Sequence, residues 1–372
     1  MKRRYVYNVV AIVLLLACSQ VAKGQTQLAT VQLDNYPQMV GFNPVTNKIY
    51  VVNEPTNELV EIDGITFQPT VIPLGATSQV SGDAVIQINP LTDTIYAINV
   101  VNNNVAIVDG ATHALSFVTV GAAPVDLKLN LSANKLYTAN FNDNTVTVFY
   151  PATDETKTIN VGINPAAIAI NETTNLVYVA NQGGNTVSVI SGTTDAVIAT
   201  LKIGKYPASI AVNPVTNTVY VANILSSTIS VINGATNAVR ERSVAAYPYK
   251  LVVNSATNRV YFLRQLGSSV DVLDGTTLGL TYVPAGMFPD ALAVDTLRNK
   301  IYAADFTGNQ IIIIDGLTNT TVSVKGVLNP TAIDVNALTN EFYAINFHDG
   351  TLISFSGIPA ALPYTLLEQI GQ

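Results

Sequence analysis

One tyrosine returns eight times along this chain, at Tyr50, Tyr96, Tyr137, Tyr178, Tyr220, Tyr261, Tyr302 and Tyr343. The intervals are 46, 41, 41, 42, 41, 41 and 41 residues. A period this regular means one structural unit copied end to end. The unit is clearest at Pro165–Asn171, Leu176–Asn181, Thr186–Ile190 and Val197–Ile203. Each piece is short, rich in β-branched residues and bounded by Gly, Asn or Pro, so each reads as a β-strand. We name the four strands a, b, c and d; the tyrosine lies on b.

Four strands every 41 or so residues is the pattern of β-propeller blades. The turns repeat as strictly as the strands. Between a and b stand Asn43-Pro-Val-Thr-Asn47, Asn89-Pro-Leu-Thr-Asp93, Asn213-Pro-Val-Thr-Asn217 and Asn336-Ala-Leu-Thr-Asn340. Pro presets φ there, and Asn bonds nearby backbone and accepts a left-handed conformation. After strand c come Asp63-Gly64, Asp109-Gly110, Asn233-Gly234, Asp274-Gly275 and Asp315-Gly316. These glycines are expected to supply the positive φ of a turn.

Strands a, b and c recur eight times, but d follows only the first seven units. Leu28–Leu33 is expected to supply the missing d, pairing with the last strand c and closing the ring. Closure leaves only outer blade edges exposed. The fold class is therefore all-β: a propeller of four-stranded antiparallel blades, eight of them, with seven as the alternative. The longer first interval marks 76–82 as an inserted loop. The domains read as 1–24 signal peptide, 25–357 propeller and 358–372 C-terminal tail.

The signal peptide rests on Lys2, Arg3 and Arg4 followed by the apolar run Val9–Ala17. That run is short for a membrane span, which needs about 20 residues. Ala22-Lys23-Gly24 suits a general signal peptidase and gives Gln25 as the mature start. Leu15-Leu16-Ala17-Cys18 resembles a lipobox and would put a lipid on Cys18, the single cysteine. Release is preferred over anchoring, and membrane association is expected only through Cys18. The location is then periplasm, medium or cell surface. Residues 1–24 carry four basic groups and no acid, so their removal takes the net charge from −7 to −11. Such a balance argues against a nucleic-acid partner.

The units resemble the YVTN family of β-propeller repeats. Tyr178-Val-Ala-Asn181 and Tyr220-Val-Ala-Asn223 match it, with Tyr50-Val-Val-Asn53, Tyr96-Ala-Ile-Asn99 and Tyr137-Thr-Ala-Asn140 as variants. Asn185-Thr-Val-Ser-Val also matches, and the likeness covers nearly all of 28–357. Unit 6 departs most, with Tyr261-Phe-Leu-Arg264. The resemblance implies an exported or surface protein known for binding and architecture. It transfers no catalytic motif.

No catalytic residue, metal site or cofactor emerges from the sequence. His113 and His348 are the only histidines and belong to connections on opposite faces, too few and too far apart for a metal site. Ser132-Ala-Asn-Lys135 matches a Ser-x-x-Lys pattern but aligns with the a–b turns. Function is sought where one blade differs from its siblings. Along strand a, lumen-facing positions are mostly small (Gly41, Ala169, Ala211, Ala293), and the exceptions are Gln87, Asp126, Lys128, Lys250 and Asp334. These five would bind a small polar ligand or form an internal salt-bridge and water network. A second set is aromatic: Tyr36, Tyr206, Tyr247 and Phe288 before strand a, and Phe141, Phe306 and Phe347 after strand b, with Val100 and Ile224 nearby. Both loop types emerge on one face. They would form an apolar rim for a partner or pack as lids between blades.

The favoured reading is a monomeric, non-enzymatic binding or scaffolding module of the cell envelope. Its partner would be a protein or envelope polymer held by the rim. The alternatives are a propeller enzyme, lactonase-like or dehydrogenase-like, using the channel charges, and a surface-coat unit.

Overall fold

The computed structural model describes residues 25–33, 36–53, 56–75, 85–265 and 267–357. The signal peptide with Cys18, the inserted loop at 76–82 and the tail at 358–372 lie outside these residues. The described chain forms eight four-stranded antiparallel sheets. Their inner strands pack side by side from blade 1 to blade 8 and back to blade 1, so the molecule is an eight-bladed propeller.

Blade 4 shows the plan: strands a (Pro165–Asn171), b (Leu176–Asn181), c (Thr186–Ser191) and d (Ala196–Lys202) pair in that order. In blade 8 the order is the same, but d is Gln27–Gln32 from the start of the chain. It pairs with strand c, Thr351–Ser356, with Val31 opposite Leu352. Further bonds run from Leu33 N to Gly350 O (2.6 Å) and from Ser356 N to Thr26 O (2.8 Å).

The apolar core lies between blades. Strand side chains alternate between two faces, and in strand b both faces are covered. Tyr50 and Val52 pack against blade 2 with Ile86 and Ile95, while Ile49 and Val51 pack against blade 8 with Tyr343 and Ile345. This is why strand b reads as an unbroken apolar run. All eight period tyrosines are fully buried. Strand d is the outer edge, and Ala196–Lys202 alternates exposed and half-buried.

The a–b and c–d connections form one end of the ring, here the turn face. Every a–b turn closes with a left-handed residue: Asn47, Asp93, Asn134, Asn175, Asn217, Asn258, Asn299 and Asn340. Asn and Asp tolerate this region best among residues with a Cβ. They also clasp neighbouring blades. The last residue of strand a donates across the gap, from Asn171 Nδ2 to Asn217 Oδ1 (2.8 Å), Asn213 to Asn258 (2.7 Å) and Asn254 to Asn299 (2.8 Å). Basic residues opening strand b add a second clasp: Lys48 Nζ reaches Gly110 O (2.6 Å) and Lys135 Nζ reaches Gly192 O (2.7 Å) in the next blade.

The glycines after strand c need a correction. Gly64 and Gly110 do not have positive φ; the left-handed residues of those turns are Phe67 and His113, three positions later. The glycines are there because the a–b hairpin crosses above them. Gly64 N donates to Asn47 O at 2.8 Å, and an added Cβ would collide with that carbonyl. The preceding aspartate does the turn chemistry expected of it: Asp63 Oδ1 accepts from Ile65 N (2.9 Å) and Thr66 N (2.7 Å).

Candidate functional site

The d–a and b–c connections form the opposite, loop face. The residue after strand b donates its N–H to the carbonyl of the residue before the strand-a proline. Phe141 N bonds Ala123 O (2.9 Å), Ile224 N bonds Tyr206 O (3.0 Å) and Phe306 N bonds Phe288 O (3.0 Å). The asparagine of the Asn-Thr-Val-Ser stretch ties adjacent blades, as Asn185 Oδ1 accepts Tyr206 N at 2.8 Å. Below the loops, the asparagine ending strand b bridges two hydroxyls of strand c. Asn181 Nδ2 donates to Thr186 Oγ1 and Ser188 Oγ, both at 3.0 Å. Blade 6 replaces this with a charged version: Arg264 Nε lies 2.8 Å from the buried Asp271, which stands where blades 4 and 5 have Ser188 and Ser230. Burial pushes the Asp271 carboxyl up, against the Ser269 hydroxyl and the guanidinium, which pull it down.

The residue before the strand-a proline is left-handed at Tyr36, Ala123, Asn164, Tyr206, Tyr247 and Asn329. Where it is asparagine the side chain adds a bond: Asn164 Nδ2 to Phe141 O and Asn329 Nδ2 to Phe306 O, both 3.1 Å. Where it is tyrosine, a bulky side chain sits in a strained region. These three rings are exposed, at 43% for Tyr36, 41% for Tyr206 and 46% for Tyr247.

The aromatic set divides into three groups. Tyr36, Phe347, His348 and Phe306 cluster across blades 7, 8 and 1, with Tyr36–Phe347 centroids 5.0 Å apart and His348–Phe306 centroids 6.4 Å apart. Phe141, half-buried, lines the channel mouth with Val100, Ile224 and Tyr249 around a cavity of about 410 Å³. Tyr206 and Tyr247 stand on the face, and Phe288 is half-buried beside them in sequence order at blade 7. The rim is thus one aromatic patch and one apolar mouth, with the exposed tyrosines on the loops around them.

The polar set also divides. Asp126 pairs with Lys128 (3.2 Å) and accepts Ile168 N from the next blade (2.6 Å). Gln87 Oε1 accepts Leu129 N at 3.5 Å and Ser209 Oγ accepts Leu251 N at 3.3 Å, again one blade on. These side chains satisfy the inner strands' unpaired edge, which explains polar residues there without a ligand. Lys250 Nζ bonds Asp290 O (2.7 Å) and lies 3.5 Å from Asp290 Oδ1, to which Tyr249 OH donates at 3.1 Å. Lys250 also joins the mouth cavity to a second one of about 370 Å³, lined by Met39 and Thr331 among others. Asp334 stands apart, near the turn face in a hollow with Phe42, Pro44 and Leu338. Burial pushes its carboxyl up to about 6 against one backbone N–H, that of Val335. The five do not meet in one place. Tyr249 and Asp290 escaped the sequence reading because each directly follows the strand-a proline, where a register shift breaks the expected alternation and brings both to the lumen cavities.

His113 lies on the turn face, 3.3 Å from Glu61 Oε2, and His348 on the loop face. Among the described residues no group of three His, Cys, Asp or Glu side chains is placed to hold a metal ion. Lys135 of the Ser-x-x-Lys stretch is engaged by Asp195 at 2.8 Å, while Ser132 bonds Asn130, so the stretch is a turn.

The sequence matches no protein-family model and no curated protein. Solved structures share the fold. Virginiamycin B lyase from Staphylococcus aureus superposes with a TM-score of 0.62 at 11% identity, over 90% of this chain and 100% of that one. A streptogramin B lyase structure gives 0.62 at 12% identity, over 91% and 99%. Kuenenia stuttgartiensis hydrazine synthase gives 0.58 at 18% identity, over 74% and 95%. At these identities the likeness is one of fold.

Proposed function

We propose that this chain is an exported propeller of the YVTN kind that serves as a non-enzymatic binding module of the cell envelope. Its loop face holds a protein or envelope polymer. One observation carries the reading. Tyr36, Tyr206 and Tyr247 occupy left-handed positions where Asn164 and Asn329 fit with an additional hydrogen bond. A bulky side chain there is held at about 1–2 kcal/mol of strain, and each ring keeps part of its surface open to solvent, Tyr36 against Phe347. Local strain kept at an exposed aromatic is the mark of a contact surface.

The test replaces all three tyrosines with asparagine, which the backbone accepts. Native and variant proteins are immobilised beside each other and offered a matched envelope extract. A partner held by the native chain and lost by the variant supports the reading. Equal capture removes it.

An enzyme acting at the channel mouth is the second reading, favoured by Lys250, Asp290 and Tyr249 meeting beside the cavity. The fold neighbours include two lyases. Turnover of simple lactones that disappears in Lys250→Met would establish it.

A further inference from the structure

The turn face carries a feature that neither the fold nor the loop face accounts for. At the third position of the a–b turn, Leu297, Leu338, Val45 and Leu91 occupy four consecutive blades, 7, 8, 1 and 2; Val215 of blade 5, 75% exposed, is the other branched aliphatic at this position and stands apart from them. Their exposures run from 67% to 78%. In the outer c–d turns of blades 1 and 7, Ile65 and Leu317 are 79% and 76% exposed. The turn does not need these side chains. Blades 4 and 6 carry Thr173 and Ala256 there, and Ala256 N bonds Asn254 Oδ1 (3.1 Å) as Val45 N bonds Asn43 Oδ1 (3.0 Å).

The arc is centred on the place where the chain enters and leaves the ring. Both ends of the described ring lie in blade 8 on this face: Thr26 O accepts Ser356 N, and Gly357 N donates to Asn340 O. Cys18 stands seven residues before Gln25, a reach of at most about 24 Å for extended chain. The apolar run Val9–Ala17 ends directly before Cys18. Where Cys18 is acylated and kept rather than removed with the leader, its lipid would leave the arc within reach of the same bilayer.

We propose that the turn face of blades 7, 8, 1 and 2 rests on a lipid surface, with its aliphatic side chains inserted at the headgroup boundary. The side-chain chemistry favours lipid over a protein partner. The exposed side chains of the arc are Leu, Val and Ile, and the neighbouring Arg298 is turned onto Asp295 Oδ2 and Ala337 O rather than outward. Scattered aliphatics on one plane suit non-directional insertion, which grows with apolar area. In this orientation the exposed tyrosines of the loop face point away from the bilayer. The proposal stands independently of what they bind.

The test uses the chain from Gln25 onward, which lacks both Cys18 and the apolar run, with a single polarity-sensitive fluorophore placed through Leu91→Cys or, separately, Tyr206→Cys. On phosphatidylcholine vesicles the label at position 91 is expected to shift to the blue and to be quenched by lipid-borne quenchers. The label at position 206 is expected to do neither. An unshifted label at 91 overturns the proposal. So does a shift that grows with protein concentration without vesicles, which would mean a second copy covers the face. In the same background, Val45, Leu91, Leu297 and Leu338 changed together to serine should lower vesicle flotation at least about tenfold, given what each buried aliphatic contributes. Equal flotation by the folded variant is the other overturning result.

Discussion

On the turn face, the residue closing each a–b hairpin is Asn or Asp in all eight blades, and it is left-handed in all eight. On the loop face, the residue before the seven strand-a prolines is Tyr36, Ala123, Asn164, Tyr206, Tyr247, Phe288 or Asn329. The backbone tasks are similar, since both positions turn the chain sharply and both bond to a neighbouring blade. The sequences obey different rules because the side chains have different work. At Asp93, Asn175, Asn217, Asn258 and Asn299 the closing side chain accepts from the last residue of strand a in the preceding blade. Tyr36 packs on Phe347, but Tyr206 and Tyr247 on the loop face make no such side-chain bond, and their presence is explained by something outside the propeller. Uniformity in a repeat therefore marks what the ring needs, and departure from it marks where the ring is free to act.

The comparison can be broken most forcefully at Asp195. This buried turn residue accepts from Lys135 Nζ (2.8 Å), Tyr137 OH (3.3 Å) and Tyr150 OH (2.8 Å). Asp195→Ala strands a lysine and two phenols, and should lower unfolding free energy by about 3 kcal/mol. Urea denaturation measures it. A change below about 1 kcal/mol, the worth of an ordinary hydrogen bond, would mean the clasps are incidental.

A smaller effect is expected in the hollow near the turn face of blade 8. Asp334 has its carboxyl raised from 3.8 to about 6. A raised acid pKa weakens the fold as pH rises from the unfolded value through the folded one, because the ionised form is the disfavoured one. Asp334→Asn keeps an acceptor for Val335 N and should stabilise by about 2 kcal/mol above that range. The gain should vanish near pH 3, where both states are protonated. Thermal melts across pH test this, and a pH-independent gain would assign the effect to packing.

The smallest effect has the opposite sign. Tyr206→Asn on the loop face should raise stability by about 0.5–1 kcal/mol through relief of left-handed strain. A new bond to Gln182 O, equivalent to that of Asn164 with Phe141 O, is expected in a crystal structure of the variant. If the substitution destabilises, the tyrosine serves the ring after all and the contrast between the faces fails.

The strands, their order, the blade count and the closing N-terminal strand were legible because each depends on local spacing. Val31, for example, could be assigned as a closing-strand residue from a missing d alone. The glycine after strand c was misread because its reason is another segment: Asn47 O crossing above Gly64 is a contact between turns. The partnership of Lys250 with Asp290 was hidden for the same reason, since the two belong to different blades. The Arg264–Asp271 exchange was visible in principle, as both departures from the repeat occur in one unit. The aliphatic arc was passed over because it recurs, and recurrence alone does not distinguish a buried residue from an exposed one.

The closing strand has a consequence in time. Among the described strands Gln27–Gln32 is the first to be made, and its partner Thr351–Ser356 is the last. At roughly 5–20 residues per second of synthesis, the two are separated by about 16 to 65 seconds. Through that interval seven blades can assemble while the first strand waits with both of its edges unpaired. The ring is thus a structure whose beginning cannot settle until its end arrives, and helper proteins that shield extended chain would have their greatest opportunity at the first six residues of the fold rather than at any of its blades.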